Sequence, residues 1–133
     1  MTKGDPMIRP DVRRVFDSTA LAHLATVLPD GSPHTVPLWA GTHGDHIVFL
    51  TGPGSRKARN LQRDPRVALS LVAADNPFEP IIVRGRVVEW LEGDAAWEII
   101  DQISVKYTGH PYPRGEERVV GVVEAERQTV GVG

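Results

Sequence analysis

The sequence predicts a mainly β chain folded as a single antiparallel barrel, with short helices inserted between the strands. Three observations lead there. About six segments carry strand patterning bounded by Gly, Pro, Asn or Asp. Most connections between them are too short for the crossovers that parallel strands require. The chain has 133 residues and 14.6 kDa, the size of one domain with a real core, so 1–133 is read as one domain without repeats or linkers.

Asp11 to Ser18 reads as a short helix with Val12, Val15 and Phe16 on one face. Leu21 to Leu28 is a strand. It is followed by the turn Leu28-Pro29-Asp30-Gly31-Ser32, where proline fixes φ and glycine accepts positive φ. The chain returns from His34 to Ala40, making a hairpin, and a second turn over Thr42–Asp45 leads into a strand from His46 to Thr51. A helix is predicted from Ser55 to Arg63, ended by Asp64-Pro65 because proline disfavours helix in the residue before it. Arg66 to Ala73 is nearly continuously apolar and is read as a strand buried on both faces. Asp75 to Pro80 forms a loop. Ile81 to Leu91 is a long strand with Ile81, Val83, Gly85 and Val87 on one side and Ile82, Arg84, Arg86 and Val88 on the other. Gly93 to Tyr107 is a helix with a core stripe of Ala96, Ile100, Ile103 and Tyr107, and Glu117 to Glu126 is a final strand.

Composition excludes several classes. A formal net charge of -2 gives no overall signal for nucleic acid or an anionic membrane. The absence of cysteine removes disulfides, thiolate nucleophiles and cysteine-ligated metal. No run of ~18 apolar residues could span a bilayer, and Met1 to Pro10 lacks the apolar core of a signal peptide. The expectation is a soluble cytoplasmic protein. The five histidines show no metal-ligand spacing. Glu116-Glu117 beside Arg114 and Arg118 reads as a solvated charged segment rather than an acid/base pair.

Local charge says more than the sum. Thr51-Gly52-Pro53-Gly54-Ser55-Arg56-Lys57-Ala58-Arg59-Asn60 places a Gly/Pro turn between a strand and a basic helix with Ser55 at its N-cap. Unpaired N–H groups at a helix start favour an anion, and Thr51, Ser55, Arg56, Lys57 and Arg59 add hydroxyls and full charges. Lys57 and Asn60 are three apart and so lie on neighbouring parts of one helix face. A capped, solvated surface helix is the plain alternative.

Several motifs in order carry a family likeness: Leu24-Ala25-Thr26, Pro29-Asp30-Gly31-Ser32-Pro33, Thr35-Val36-Pro37-Leu38-Trp39, Lys57-Ala58-Arg59-Asn60-Leu61, Asp64-Pro65-Arg66-Val67, Val83-Arg84-Gly85-Arg86-Val87, and Lys106-Tyr107-x-Gly109. Together they resemble the split β-barrel flavin/deazaflavin oxidoreductases, the superfamily of pyridoxamine 5'-phosphate oxidase, and within it the actinobacterial branch that uses coenzyme F420. The likeness covers roughly Asp11 to Arg127. It implies a homodimer with cofactor grooves at the subunit interface. It places the cofactor phosphate near Thr51, Ser55, Arg56, Lys57 and Asn60, and sets the tricyclic ring beside the backbone of Val36, Pro37, Leu38 and Trp39 and of Leu50-Thr51. Phe78 and Tyr107 are candidates for reaching the groove from the other subunit. A packing role is the alternative for Trp39 and Tyr107, and outward, solvated side chains are the plain reading of Arg84 and Arg86.

No residue stands out as catalytic, which suits a cofactor that carries the hydride chemistry itself. The implied function is an F420-dependent reductase that transfers hydride to a small unsaturated organic substrate. An FMN-dependent enzyme of the same fold and a non-catalytic cofactor carrier are the alternatives. Pyridoxamine phosphate oxidase activity itself is not expected, because no Trp/Arg-containing segment follows the barrel. No nucleic-acid or membrane partner is expected.

Overall fold

A computed structural model describes residues 7–131. Met1–Pro6, on which part of the signal-peptide reading rests, lie outside the described residues. Helix α1 (Pro10–Phe16) opens on a proline at its first position, with Asp11 in its first turn, and buries Val12, Val15 and Phe16. Strands β1 (Ala22–Val27) and β2 (Pro33–Leu38) form the expected hairpin. Gly31 takes φ 90° in its turn, and the Asp30 carboxylate accepts from the Ser32 amide at 3.0 Å.

Next come β3 (Ala40–His43), β4 (His46–Thr51), α2 (Arg56–Arg63), β5 (Arg66–Leu71), β6 (Ile81–Leu91), α3 (Gly93–Thr108) and β7 (Val119–Val130). One antiparallel seven-stranded sheet results, in the order β2-β1-β5-β6-β7-β4-β3. Its two edge strands, β2 and β3, are separated in the chain by Trp39 alone. The sheet must therefore curl until its edges approach one another, which is the split barrel.

Three expectations are corrected. The strand drawn to Ala40 ends at Leu38, and Ala40–His43 is a separate strand paired with β4, so only Gly44-Asp45 are left to turn. Strand β5 is not buried on both faces: Val67, Leu69 and Leu71 face the core, whereas Ser70 is exposed and Val72 beyond it is 42% exposed. Strand β7 starts later than expected and runs on to Val130, because Arg127–Val130 pair with Ile81–Arg84.

Two apolar clusters result. Inside the barrel, Phe16, Leu24, Phe49, Leu69, Val83 and Val123 pack together. Outside it, α3 lays Ala96, Ile99, Ile100 and Ile103 on Val48, Val120 and Val122. Gly121 is required here, since a Cβ would sit 2.5 Å from the Phe49 ring. Strand β6 needs Gly85 for the same kind of reason. A Cβ there would lie 2.0 Å from the Glu124 carbonyl oxygen, at a register shift where Arg84 faces Arg127 and Gly85 faces Ala125.

Candidate functional site

Strand β4 delivers Thr51 to the turn that opens α2. The Thr51 and Ser55 hydroxyls are hydrogen-bonded 2.8 Å apart, and the Ser55 oxygen accepts from the Ala58 amide at 3.2 Å. Ser55 is thus a working N-cap. It positions Lys57 in the first turn, where the helix dipole repels a cation. Lys57 is half-buried, and its ammonium is held below the ordinary lysine range, first by burial and then by the nearby Arg118. Among the described residues no carboxylate pairs with it. Lys57 and Arg118 are thus two cations near the N-terminal end of α2, the end where the Thr51 and Ser55 hydroxyls meet.

Arg118 comes from the loop before β7. Its guanidinium donates to Glu116 at 2.7 Å and to the Tyr112 hydroxyl at 3.3 Å. A side chain at Gly52 would meet Arg118 Nη1 at 3.6 Å, so the turn before α2 lies against it. Arg118 also borders an open cavity of about 360 Å³ walled by Trp39, Tyr112, Pro113 and Arg114. Trp39 stacks on Tyr107 at 5.1 Å, 8° from parallel, and meets Tyr112 edge-on at 6.3 Å. The Tyr112–Arg114 wall is fixed on α3. Arg114 grips Asp101 through two bonds of 2.9 Å, and the Tyr112 amide donates to the same carboxylate at 3.1 Å. Those bonds lower the Asp101 pKa, Arg114 being the larger cause. The Arg114 guanidinium lies 3.9 Å over the Trp97 ring.

The structure joins Thr51 to Ser55, sets Lys57 in the first turn of the helix they open, and leaves other expected residues elsewhere. Asn60 is fully buried and donates to the Thr26 hydroxyl at 3.0 Å, tying α2 to β1, while its Oδ1 has no partner among the described residues. Arg56 is exposed. Val36 and Leu38 pack toward the barrel core, Pro37 is exposed, and half-buried Leu50 packs under α3. Strand β2 is an edge, so one side of its Val36–Leu38 backbone is free of strand pairing. The Tyr107 hydroxyl donates to the Ala20 carbonyl at 2.7 Å. Phe78 is 78% exposed in the loop before β6. Sequence reasoning missed Arg118 and Tyr112: no local pattern links them to a helix in the first half of the chain.

Residues 8–129 match the pyridoxamine 5'-phosphate oxidase family. The chain belongs to that family. Its fold is the split barrel of the flavin and deazaflavin oxidoreductases. Among solved structures, an F420 reductase superposes with a TM-score of 0.80 at 27% identity, over 92% of this chain and 98% of its own. A conserved hypothetical protein from Mycobacterium tuberculosis gives 0.78 at 26%, over 98% and 89%. HupZ of Group A Streptococcus gives 0.70 at 18% identity, over 96% and 100%, and shares the fold alone. No curated protein matches the sequence. Membership in the family makes the protein a relative of flavin-type oxidoreductases. Among the described residues no helix is long and apolar enough to cross a membrane, and no cluster of His, Asp or Glu could hold a metal ion.

Proposed function

We propose that this family member is a reductase that binds a phosphorylated tricyclic hydride carrier, F420 in first place and FMN in second, and reduces a small unsaturated organic substrate. The observation that carries the reading is Lys57, a half-buried ammonium with Arg118 near it and, among the described residues, no carboxylate paired to it. A phosphate beside it would offset the Lys57 charge, as Glu116 already does for Arg118, and accept from the Thr51–Ser55 hydroxyl pair. The residues present fit such a group. The preference for F420 rests on the 27% identical F420 reductase.

Reduced F420, when bound, supplies the hydride. The chain's own residues bind and orient. Lys57 and Arg118 hold the anionic end, and the edge backbone of Val36–Trp39 with Leu50-Thr51 borders the ring. Trp39 and Tyr112 exclude water from one end of the cavity. Rate enhancement then comes from proximity and orientation. The proton that completes reduction comes from solvent. A homodimer completes the groove: Leu21, Val72 and Ile82, each 41% to 49% exposed, lie toward one end of the outer sheet face and, with exposed Phe78 in the loop before β6, suit a second copy.

Titrating apoprotein with F420 and with FMN, followed by tryptophan fluorescence, tests the reading, because Trp39 lies at the cavity. Micromolar or tighter F420 binding with weaker FMN binding is expected. Binding of neither would overturn the cofactor reading. Sedimentation would check the dimer.

A further inference from the structure

The charges beside the start of α2 include one that the proposed function does not use. Lys57 brings a positive charge, and Arg118 brings a second, near enough to lower the Lys57 pKa. Arg118 Nη2 donates to the Glu116 carboxylate at 2.7 Å. The other nitrogens of Arg118 meet neutral groups, Nε the Tyr112 hydroxyl at 3.3 Å and Nη1 the Glu117 carbonyl at 2.9 Å. Among the described residues Glu116 is the one carboxylate paired with either cation. Lys57, Arg118 and Glu116 therefore sum to a single positive charge. Arg56 and Arg59 lie on the exposed side of α2, where solvent screens them.

These groups also differ in how firmly they are held. The Arg118 side chain is 22% exposed and is fixed through all three of its nitrogens, whereas Glu116 is 78% exposed. A guanidinium has five N–H donors, and the three bonds above leave two of them for a ligand. An anion can thus reach Lys57 and Arg118 while Glu116 stays in place, provided that it carries about one charge. A phosphodiester carries one negative charge at neutral pH; a phosphomonoester carries nearly two. The first is neutralised beside Lys57. The second leaves an uncompensated charge next to the Glu116 carboxylate, and like charges brought together disfavour the complex.

We infer that Glu116 is a specificity-determining residue, one that admits singly charged phosphodiesters at Lys57 and disfavours doubly charged phosphomonoesters. Glu116 acts in this way only if phosphate binds at Lys57, as proposed above. It then supplies a chemical reason for ranking F420, whose phosphate is a diester, above FMN, whose phosphate is a monoester.

The test uses two probes without a ring, dimethyl phosphate as the diester and methyl phosphate as the monoester. Each is titrated into the full chain at about pH 7.5, where the monoester is mostly doubly charged, and is followed by the amide NMR shifts of Ser55 to Ala58. Glu116→Gln should tighten methyl phosphate roughly fivefold more than dimethyl phosphate. It should move FMN in the same direction relative to F420. Glu117→Gln removes another exposed charge one residue away but no ion pair, and should leave both ratios unchanged. An unmoved ratio in Glu116→Gln, or an equal change in Glu117→Gln, would overturn the role of Glu116; F420 binding to the wild type would still uphold the cofactor reading. The expected probe selectivity without binding of F420 or FMN would uphold Glu116 and overturn the cofactor reading. No shift with either probe would overturn the role of Glu116 together with the phosphate site at Lys57.

Discussion

Two half-buried lysines, Lys57 and Lys106, make an instructive contrast. Burial lowers the pKa of both, that of Lys106 to about 8. Lys106 has acceptors: its Nζ donates to the Phe16 carbonyl at 2.7 Å and to the Ala40 carbonyl, and it sits 4.5 Å over the Tyr107 ring. It joins the end of α1, the start of β3 and α3, where the two sheet edges come together. Among the described residues Lys57 has none of these, and Arg118 near it is another cation. Burial of a charge alone therefore does not mark a functional site. What separates the two is whether the fold itself supplies the counter-groups, as it does at Lys106; at Lys57 the proposed cofactor phosphate would supply them.

The sharpest way to break this contrast is to remove each ammonium in turn. Lys106→Met should leave the Phe16 and Ala40 carbonyls short of a donor and cost roughly 2–3 kcal/mol, read as a lower urea midpoint. Lys57→Gln should leave the ligand-free urea midpoint unchanged or higher. Its effect should fall on ligand affinity, weakening F420 binding by ~1–3 kcal/mol, the scale of a lost charge-assisted bond. If Lys57→Gln destabilised the ligand-free protein as Lys106→Met does, Lys57 would be structural and the anion seat would lose its main support. A smaller effect sharpens the picture of how Lys57 is presented. Ser55→Ala removes the cap on the Ala58 amide and should cost about 1 kcal/mol of stability, with a loss of F420 affinity smaller than that of Lys57→Gln.

Much of this was legible in the sequence, and the exceptions have physical causes. The β1–β2 hairpin follows from Pro29-Asp30-Gly31, and α2 from Ser55 at one end and Pro65 past the other, because turn and cap chemistry is local. The α3 stripe follows from its period. Strand β3 was not legible: Gly41 and Thr42 carry weak strand signals, and the strand exists through its pairing with β4. Asn60 shows the limit of helical spacing. Three residues of helix turn it about 60° from Lys57, enough to bury one against Thr26 on β1 while the other stays at the rim. Arg118 shows the limit of local reading altogether. Its place beside the turn before α2 depends on β7 pairing with β4, which brings Val119 opposite Thr51.

The last expected effect concerns pH, and it separates the lysines once more. The folded-state pKa of Lys106 is about 8, against an ordinary 10.5. Between those values the unfolded chain holds more protons than the native one, so stability rises with pH through that window and the burial penalty is present in full below it. Lys57 shifts in the same direction. Tyr107, whose pKa is raised above 10.0 chiefly by burial, works the other way at the upper end, since its native state keeps a proton that the unfolded state releases. The clean range therefore runs from about 8 to 10. Urea unfolding across it should show the wild-type midpoint climbing, and Lys106→Met should flatten most of the climb. Lys57→Gln should flatten it less without ligand, but should remove the alkaline loss of F420 affinity that accompanies deprotonation of Lys57. Parallel stability profiles for wild type and Lys106→Met would mean that the two carbonyls hold the ammonium charged well above pH 8, and that the clasp is stronger than its burial.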